Sequence, residues 1–219
     1  MNLRNKMRVD LLVVIGLVLI SIPCILYFQV RLLTSTLLFF VIPTIFLLLR
    51  QRKQLKRLGA SVIAGMTVAF IADFLAEFNG AWSWAPEGQL VFSNKLFGLI
   101  PIDVLIWYFF WITFTVVYYE HFFEHERSRV VSHRFKSVLI FFLTFLAIII
   151  LTFYINPEIL RFRYAYLWVA VFGSFPFFYL VFKKPHLVSK LFKAGIFNIF
   201  LFLSFELTAL KLDQWRFPG

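Results

Sequence analysis

The chain has 219 residues, of which 61% are hydrophobic and only 15% charged, with 31 Phe and a single Cys. A soluble domain is roughly half apolar and about a quarter charged, so this composition excludes a soluble core, and Cys24 alone excludes an internal disulfide or a Cys-based metal centre. The net charge of +11 is no nucleic-acid signature, because the basic residues lie between apolar runs as loop anchors do.

Arg4, Lys6 and Arg8 precede the first apolar run, as in a signal peptide. The run is long and no small-residue cleavage site follows it, so a retained first span is expected. In chain order seven spans can be read, approximately 11–28, 32–49, 58–78, 99–119, 138–155, 164–182 and 191–210. Each has about the length that a ~30 Å hydrocarbon core requires. All are expected to be helices, because lipid tolerates no unpaired backbone and nothing alternates like a barrel strand. The expected fold is an all-α integral membrane protein, a seven-helix bundle in one domain over 1–219.

Charge sets the expected orientation. On one side lie Arg31, Lys95, Arg161, Arg163, Lys211 and Arg216, and the other Lys and Arg of the 22 lie on the opposite side. The rich side is expected to be cytoplasmic, which puts the N-terminus inside and the C-terminus outside the cell membrane.

The third span opens with Ala60, Ser61, Ala64 and Gly65. These small residues, four apart, are expected to admit a neighbouring helix closely. The same span ends in Asp73-Phe-Leu-Ala-Glu-Phe-Asn-Gly-Ala-Trp82-Ser-Trp84, and the seventh ends in Glu206-Leu-Thr-Ala-Leu-Lys-Leu-Asp-Gln-Trp215-Arg-Phe217. In both an acid precedes a tryptophan by nine residues and an aromatic follows two later; Ala76 matches Ala209. The two segments lie four spans apart, which predicts a partial tandem parallel repeat with halves 1–123 and 137–219. The second copy is expected to stop at Gly219, before an equivalent of the fourth span.

Acids in such apolar helices are costly and call for a reason. Asp73 and Glu77 share one face of the third helix. Asp103 falls in the first turn of the fourth helix, behind Pro101, a good helix opener. Glu206 occupies the depth of Asp73 on the seventh. Topology therefore predicts four carboxyls near the outer leaflet. They cap helices or bond between spans on one reading; on the other they hold and donate a proton. Asp103, Trp107 and Trp111 follow at steps of four, with Phe110, Phe114 and Tyr118 nearby. Such a wall either fills a bundle or stabilises a cation. His121 and His125, with Glu120 and Glu124, have spacing for a metal on one face. A solvated juxtamembrane helix is the expected reading there, with no metal and no cofactor.

At these residues the chain resembles the integral-membrane lycopene cyclase domain family of heterodimeric or fused carotenoid cyclases. The matching residues are Asp73, Ala76, Trp82, Trp84, Pro101, Asp103 and Tyr119-Glu120, with Glu206, Trp215 and Phe217 opening a second copy. Val104 stands where that family carries a second carboxylate. The resemblance implies redox-neutral ring closure of a polyene. Asp103 would donate the proton, with Asp73 or Glu77 assisting and Glu206 as their counterpart. Trp82, Trp107 and Trp111 would steady the cation, and Trp84, Pro101, Trp215 and Phe217 would complete the substrate site. A long apolar polyene or isoprenoid, membrane lipid and a homo- or heterodimeric subunit are the implied partners, with no nucleic acid. The alternatives are a non-catalytic assembly partner or lipid or pigment binder, a carotenoid hydratase, and a small-solute transporter. A catalytic site requires Asp73, Asp103 and Glu206 to face one recess; a scaffold requires each tied to backbone or to a basic residue.

Overall fold

The computed structural model describes residues 3–50, 55–84, 87–123 and 133–216. Eight α-helices dominate it: α1 (Leu3–Phe28), α2 (Leu32–Thr36), α3 (Ile42–Arg50), α4 (Leu55–Phe78), α5 (Ile102–Phe122), α6 (His133–Ile155), α7 (Ala165–Lys183) and α8 (Val188–Lys211). Among the described residues six segments are long and apolar enough to cross a membrane: Asn5–Phe28, Leu32–Arg50, Arg57–Phe78, Ile102–Phe122, Phe135–Ile155 and Val188–Lys211. This is a multi-pass membrane protein. Two-residue strands β1 (Ser83–Trp84), β2 (Lys95–Leu96), β3 (Ile100–Pro101) and β4 (Trp215–Arg216) decorate one end of the bundle.

Helix α5 is the hub, packing on α4, α3, α2 and α8, while α1 lies against α8 and α3. Helices α6 and α7 lean on the outside of α4. Phe39, Phe40, Phe74, Phe114 and Leu201 are fully enclosed, whereas α6 turns Ile140, Phe141, Ile148 and Leu151 outward, as a lipid-facing helix does. The small-residue stretch of α4 meets its purpose at Gly65. A Cβ there would stand 2.7 Å from Ile112 Cγ2 of α5, so only glycine permits this approach.

The fourth expected span starts later than its apolar run. Ile100–Pro101 pairs antiparallel with Lys95–Leu96, and Pro101, at φ −62 and ψ 145, is the N-cap of α5 rather than its first turn. The second span is interrupted by a π-turn over Leu37–Val41 that joins α2 to α3. Pro43 accounts for it: without an N–H, it leaves a carbonyl of the preceding turn unpaired. Ser21 Oγ of α1 shares its one proton between Leu17 O at 2.7 Å and Leu38 O at 3.2 Å, and so partly fills that gap.

Helices α1, α4 and α8 end alike, at the same end of the bundle. Gln29, Gly80 and Asp213 take φ of 48, 69 and 58°. The following amides, Val30, Ala81 and Gln214, bond back to Ile25 O, Ala76 O and Ala209 O at 3.4, 2.9 and 2.9 Å. In α4 and α8 a second bond, Gly80 N to Glu77 O and Asp213 N to Leu210 O, completes the same glycine-type C-cap. The ends also join. β1 and β4 pair antiparallel, Ser83 with Arg216 and Trp84 with Trp215, and buried Gln214 donates to Val30 O and Ser35 Oγ at 2.8 and 2.9 Å.

Candidate functional site

The C-cap of α4 explains the nine-residue spacing from Asp73 to Trp82. The cap reverses the chain, so the residue after it lies back beside the last turns of its own helix. Trp82 Nε1 thus donates to Asp73 Oδ1 at 3.0 Å. Trp84 Nε1 donates to Glu77 Oε2 at 2.9 Å. Tyr108 of α5 donates its hydroxyl to the same Asp73 Oδ1 at 3.2 Å. Asp73 is fully buried and Glu206 nearly so. Among the described residues none bonds to Asp73 Oδ2, Glu206 Oε2 or Trp107 Nε1, all of them buried atoms.

Aromatic rings wall this cluster. Trp107 stacks on Phe205, the neighbour of Glu206, at 5.3 Å and 16°. It stacks on Trp111 at the same distance and angle, and Trp111 continues onto Phe202. Trp84 stands 6.3 Å from Trp107 and 5.8 Å from Trp215, and Trp82 meets Trp215 edge-on at 6.5 Å. The π-turn delivers Phe39 and Phe40 against Phe205, so the second span lines this region too.

Asp103 has a different setting. It is fully buried, but Val91 N donates to its Oδ2 at 2.7 Å and Phe92 N to its Oδ1 at 3.0 Å. Both oxygens hold the loop that precedes α5. The same loop is tied to α8 by Gln89 Nε2 donating to Leu212 O at 3.3 Å, and to α5 by Ile102 N donating to Asn94 O at 3.2 Å. Asp73 therefore meets Tyr108, Glu77 lies one turn further along the same helix and is tied to Trp84, and Asp103 fastens the loop before α5. Pro101 starts α5 inside that fastening. Phe217, Glu124 and His125 lie outside the described residues.

The opposite end holds a cluster that the sequence reading missed. Asp10 of α1, fully buried, takes Arg50 of α3 on Oδ1 at 2.7–2.8 Å and His121 of α5 on Oδ2 at 3.0 Å. His121 is thus enclosed, with a side-chain exposure of 9%, not the solvated juxtamembrane residue expected. Arg57 and Glu120 stand 3.8 Å apart beside it. Among the described residues no three His, Cys, Asp or Glu are grouped as metal ligands.

Fold and site define the class as a multi-pass membrane protein with a buried, indole-walled carboxyl cluster near one end of its bundle. No protein-family model, no curated protein and no solved structure matches the chain.

Proposed function

We propose that this protein is a membrane-embedded enzyme that alters the end group of a long polyene or isoprenoid by acid catalysis, without redox change, in the manner of the lycopene cyclase domain family that it resembles. The observation that carries the reading is the buried carboxyl of Asp73, held by Trp82 and Tyr108, beside a wall of indoles that runs on to Phe205, the neighbour of buried Glu206. A protonated carboxyl gives its proton to the terminal double bond, the neighbouring alkene closes on the cation, and a carboxylate removes a proton from the ring. Indole faces stabilise the positive charge in a dry site.

The roles follow from the bonds. Asp73 Oδ1 accepts two hydrogen bonds, which suits the carboxylate form that takes a proton back. Glu206, with Oε2 unbonded, is the donor. Asp103, with both oxygens on backbone amides, positions the cover and is not the acid. The reading includes seven crossings, with α7 counted among them, a cytoplasmic N-terminus, and a tandem repeat supported by the matched caps of α4 and α8. The cell membrane is the compartment.

The test is expression in a lycopene-producing bacterium with chromatography of the pigments. The wild type should yield a new product of lycopene's mass, lost in Glu206→Gln and Asp73→Asn. Unchanged lycopene beside correctly inserted protein would sink the reading. The indole bonds that tie Asp73 and Glu77 favour a second reading, a non-catalytic pigment or lipid binder, which would instead copurify with unaltered pigment.

A further inference from the structure

Helices α7 and α8 are joined only by Lys184 and the tight turn Pro185–Leu187. Lys183 and Lys184 stand on one side of that turn, Lys190 and Lys193 on the other. Lys183, Lys184 and Lys193 are exposed and Lys190 is half-exposed. No Asp or Glu occurs in the sequence between Glu158 and Glu206. Among the described residues none of these lysines joins an ion pair. Cations elsewhere in the bundle differ, since Arg50 has Asp10 and Arg57 has Glu120. Loop lysines in general set orientation, but this hairpin also presents positive charge that nothing among the described residues balances.

An exposed apolar face runs up to the lysines on each helix. On α7, Phe175, Tyr179 and Phe182 follow at helical spacing, all exposed, and Lys183 lies one turn past Tyr179. On α8, Lys193 is succeeded on the same face by Ile196, Phe200, Leu203 and Leu207, again all exposed. Helix α8 is long and apolar enough to cross the bilayer over Val188–Lys211, so Lys190 and Lys193 fall within the first two turns of that span. There hydrocarbon gives way to headgroups, and a lysine stem can lie along the apolar face while its ammonium reaches the interface.

We infer that the α7–α8 hairpin binds anionic phospholipid, the lysines supplying the charge for its headgroup and the exposed helix faces taking its acyl chains. A zwitterionic lipid fits less well, because its own cation cancels the headgroup charge. One lysine near an anionic bilayer surface gives about a fivefold preference. The inference does not depend on the chemistry proposed for the opposite end of the bundle.

The test is native mass spectrometry of the full chain released from nanodiscs holding equal amounts of dioleoyl phosphatidylglycerol and dioleoyl phosphatidylcholine. The wild type should retain the anionic lipid with at least about a tenfold preference. A Lys184→Gln, Lys193→Gln double variant should cut that preference by about fivefold or more. An Arg8→Gln, Lys136→Gln double variant removes two exposed cations from the starts of α1 and α6, and should change the preference by less than about twofold. Equal retention of the two lipids overturns the inference. So does an equal fall in both double variants, which would mean that charge acts diffusely, and so does loss of the preference in millimolar inorganic phosphate, which would mean a site for a soluble anion. Should the lysine variant fail to insert, photolysis of the wild type with a diazirine-bearing phosphatidylglycerol decides: label on residues 175–207 supports the hairpin, and label confined to other segments overturns it.

Discussion

Trp84 and Trp215 stack face to face, their ring centres 5.8 Å apart and their planes 19° from parallel. They are also backbone partners in the two-residue pairing of β1 with β4. The segments that repeat in sequence, one after α4 and one after α8, are therefore clasped to each other in space. An aromatic pair contributes about 0.5–1.5 kcal/mol beyond its burial. A double-mutant cycle on Trp84→Leu and Trp215→Leu, read by unfolding in detergent, should give a coupling energy in that range. Additive losses would mean that the clasp does not hold the helix ends together.

The same junction predicts opposite effects at two equivalent cap positions. Gly80 and Asp213 both sit at positive φ, 69 and 58°. Glycine adopts this region freely, whereas a residue with a Cβ pays about 1–2 kcal/mol. Gly80→Ala should destabilise the protein by about 1 kcal/mol, and Asp213→Gly should stabilise it by a somewhat smaller amount. The second change also removes the ion pair of Asp213 with Arg216, an exposed contact whose loss matters little. Thermal unfolding of the two variants checks both signs.

How much of this could be read from the chain depends on the range of each interaction. The acid-to-tryptophan spacing is local, and the C-cap converts it directly into the Trp82–Asp73 bond. The close approach at Gly65 was equally legible from small residues four apart. Asp103 was not, because an acid just past a proline looks the same whether it donates a proton or binds a loop. The amides of Val91 and Phe92 decide it. Tyr108 falls outside the four-residue stripe of Asp103, Trp107 and Trp111, so nothing in the pattern drew attention to it. Asp10 finds its partners 40 and 111 residues away, and no local rule reports such a pair.

Asp103→Asn separates the positioning role from an acid's role. An asparagine carbonyl can still accept one amide, but its NH2 then opposes the other. One part-buried backbone N–H is left facing a donor, at a cost of about 1 kcal/mol. Hydrogen exchange at the Val91 and Phe92 amides should quicken at least tenfold, while the Trp82 and Trp84 indole signals stay in place. Unchanged protection of both amides would refute the fastening.

The Pro43 turn gives a test of hydrogen-bond supply. Ser21→Ala withdraws the donor to Leu38 O and should cost about 1 kcal/mol. Replacing Pro43 with Ala returns a backbone N–H to the preceding turn. In the Pro43→Ala background the Ser21→Ala loss should therefore shrink to a few tenths of a kcal/mol. Equal losses in both backgrounds would show that Ser21 acts through its bond to Leu17 O alone.

The last prediction concerns the other end of the bundle, where Asp10 joins three helices. Its carboxylate is enclosed and serves Arg50 on one oxygen and His121 on the other. Removing one partner of a buried pair costs more than the pair contributes, because the remaining charge is left without compensation. Arg50 reaches solvent, with a side-chain exposure of 35%, so it can rehydrate when released, and the loss falls below that of a fully buried pair. Asp10→Asn should therefore destabilise the protein by about 2–4 kcal/mol, and Arg50→Ala should cost as much, because Asp10 is then left with His121 alone. Restoring shape without charge, in an Asp10→Leu, Arg50→Met double variant, should recover most of the loss. Unfolding in detergent reads all three. A double variant as unstable as Asp10→Asn would show that the ion pair itself, and not the packing of α1 on α3, is what this end requires.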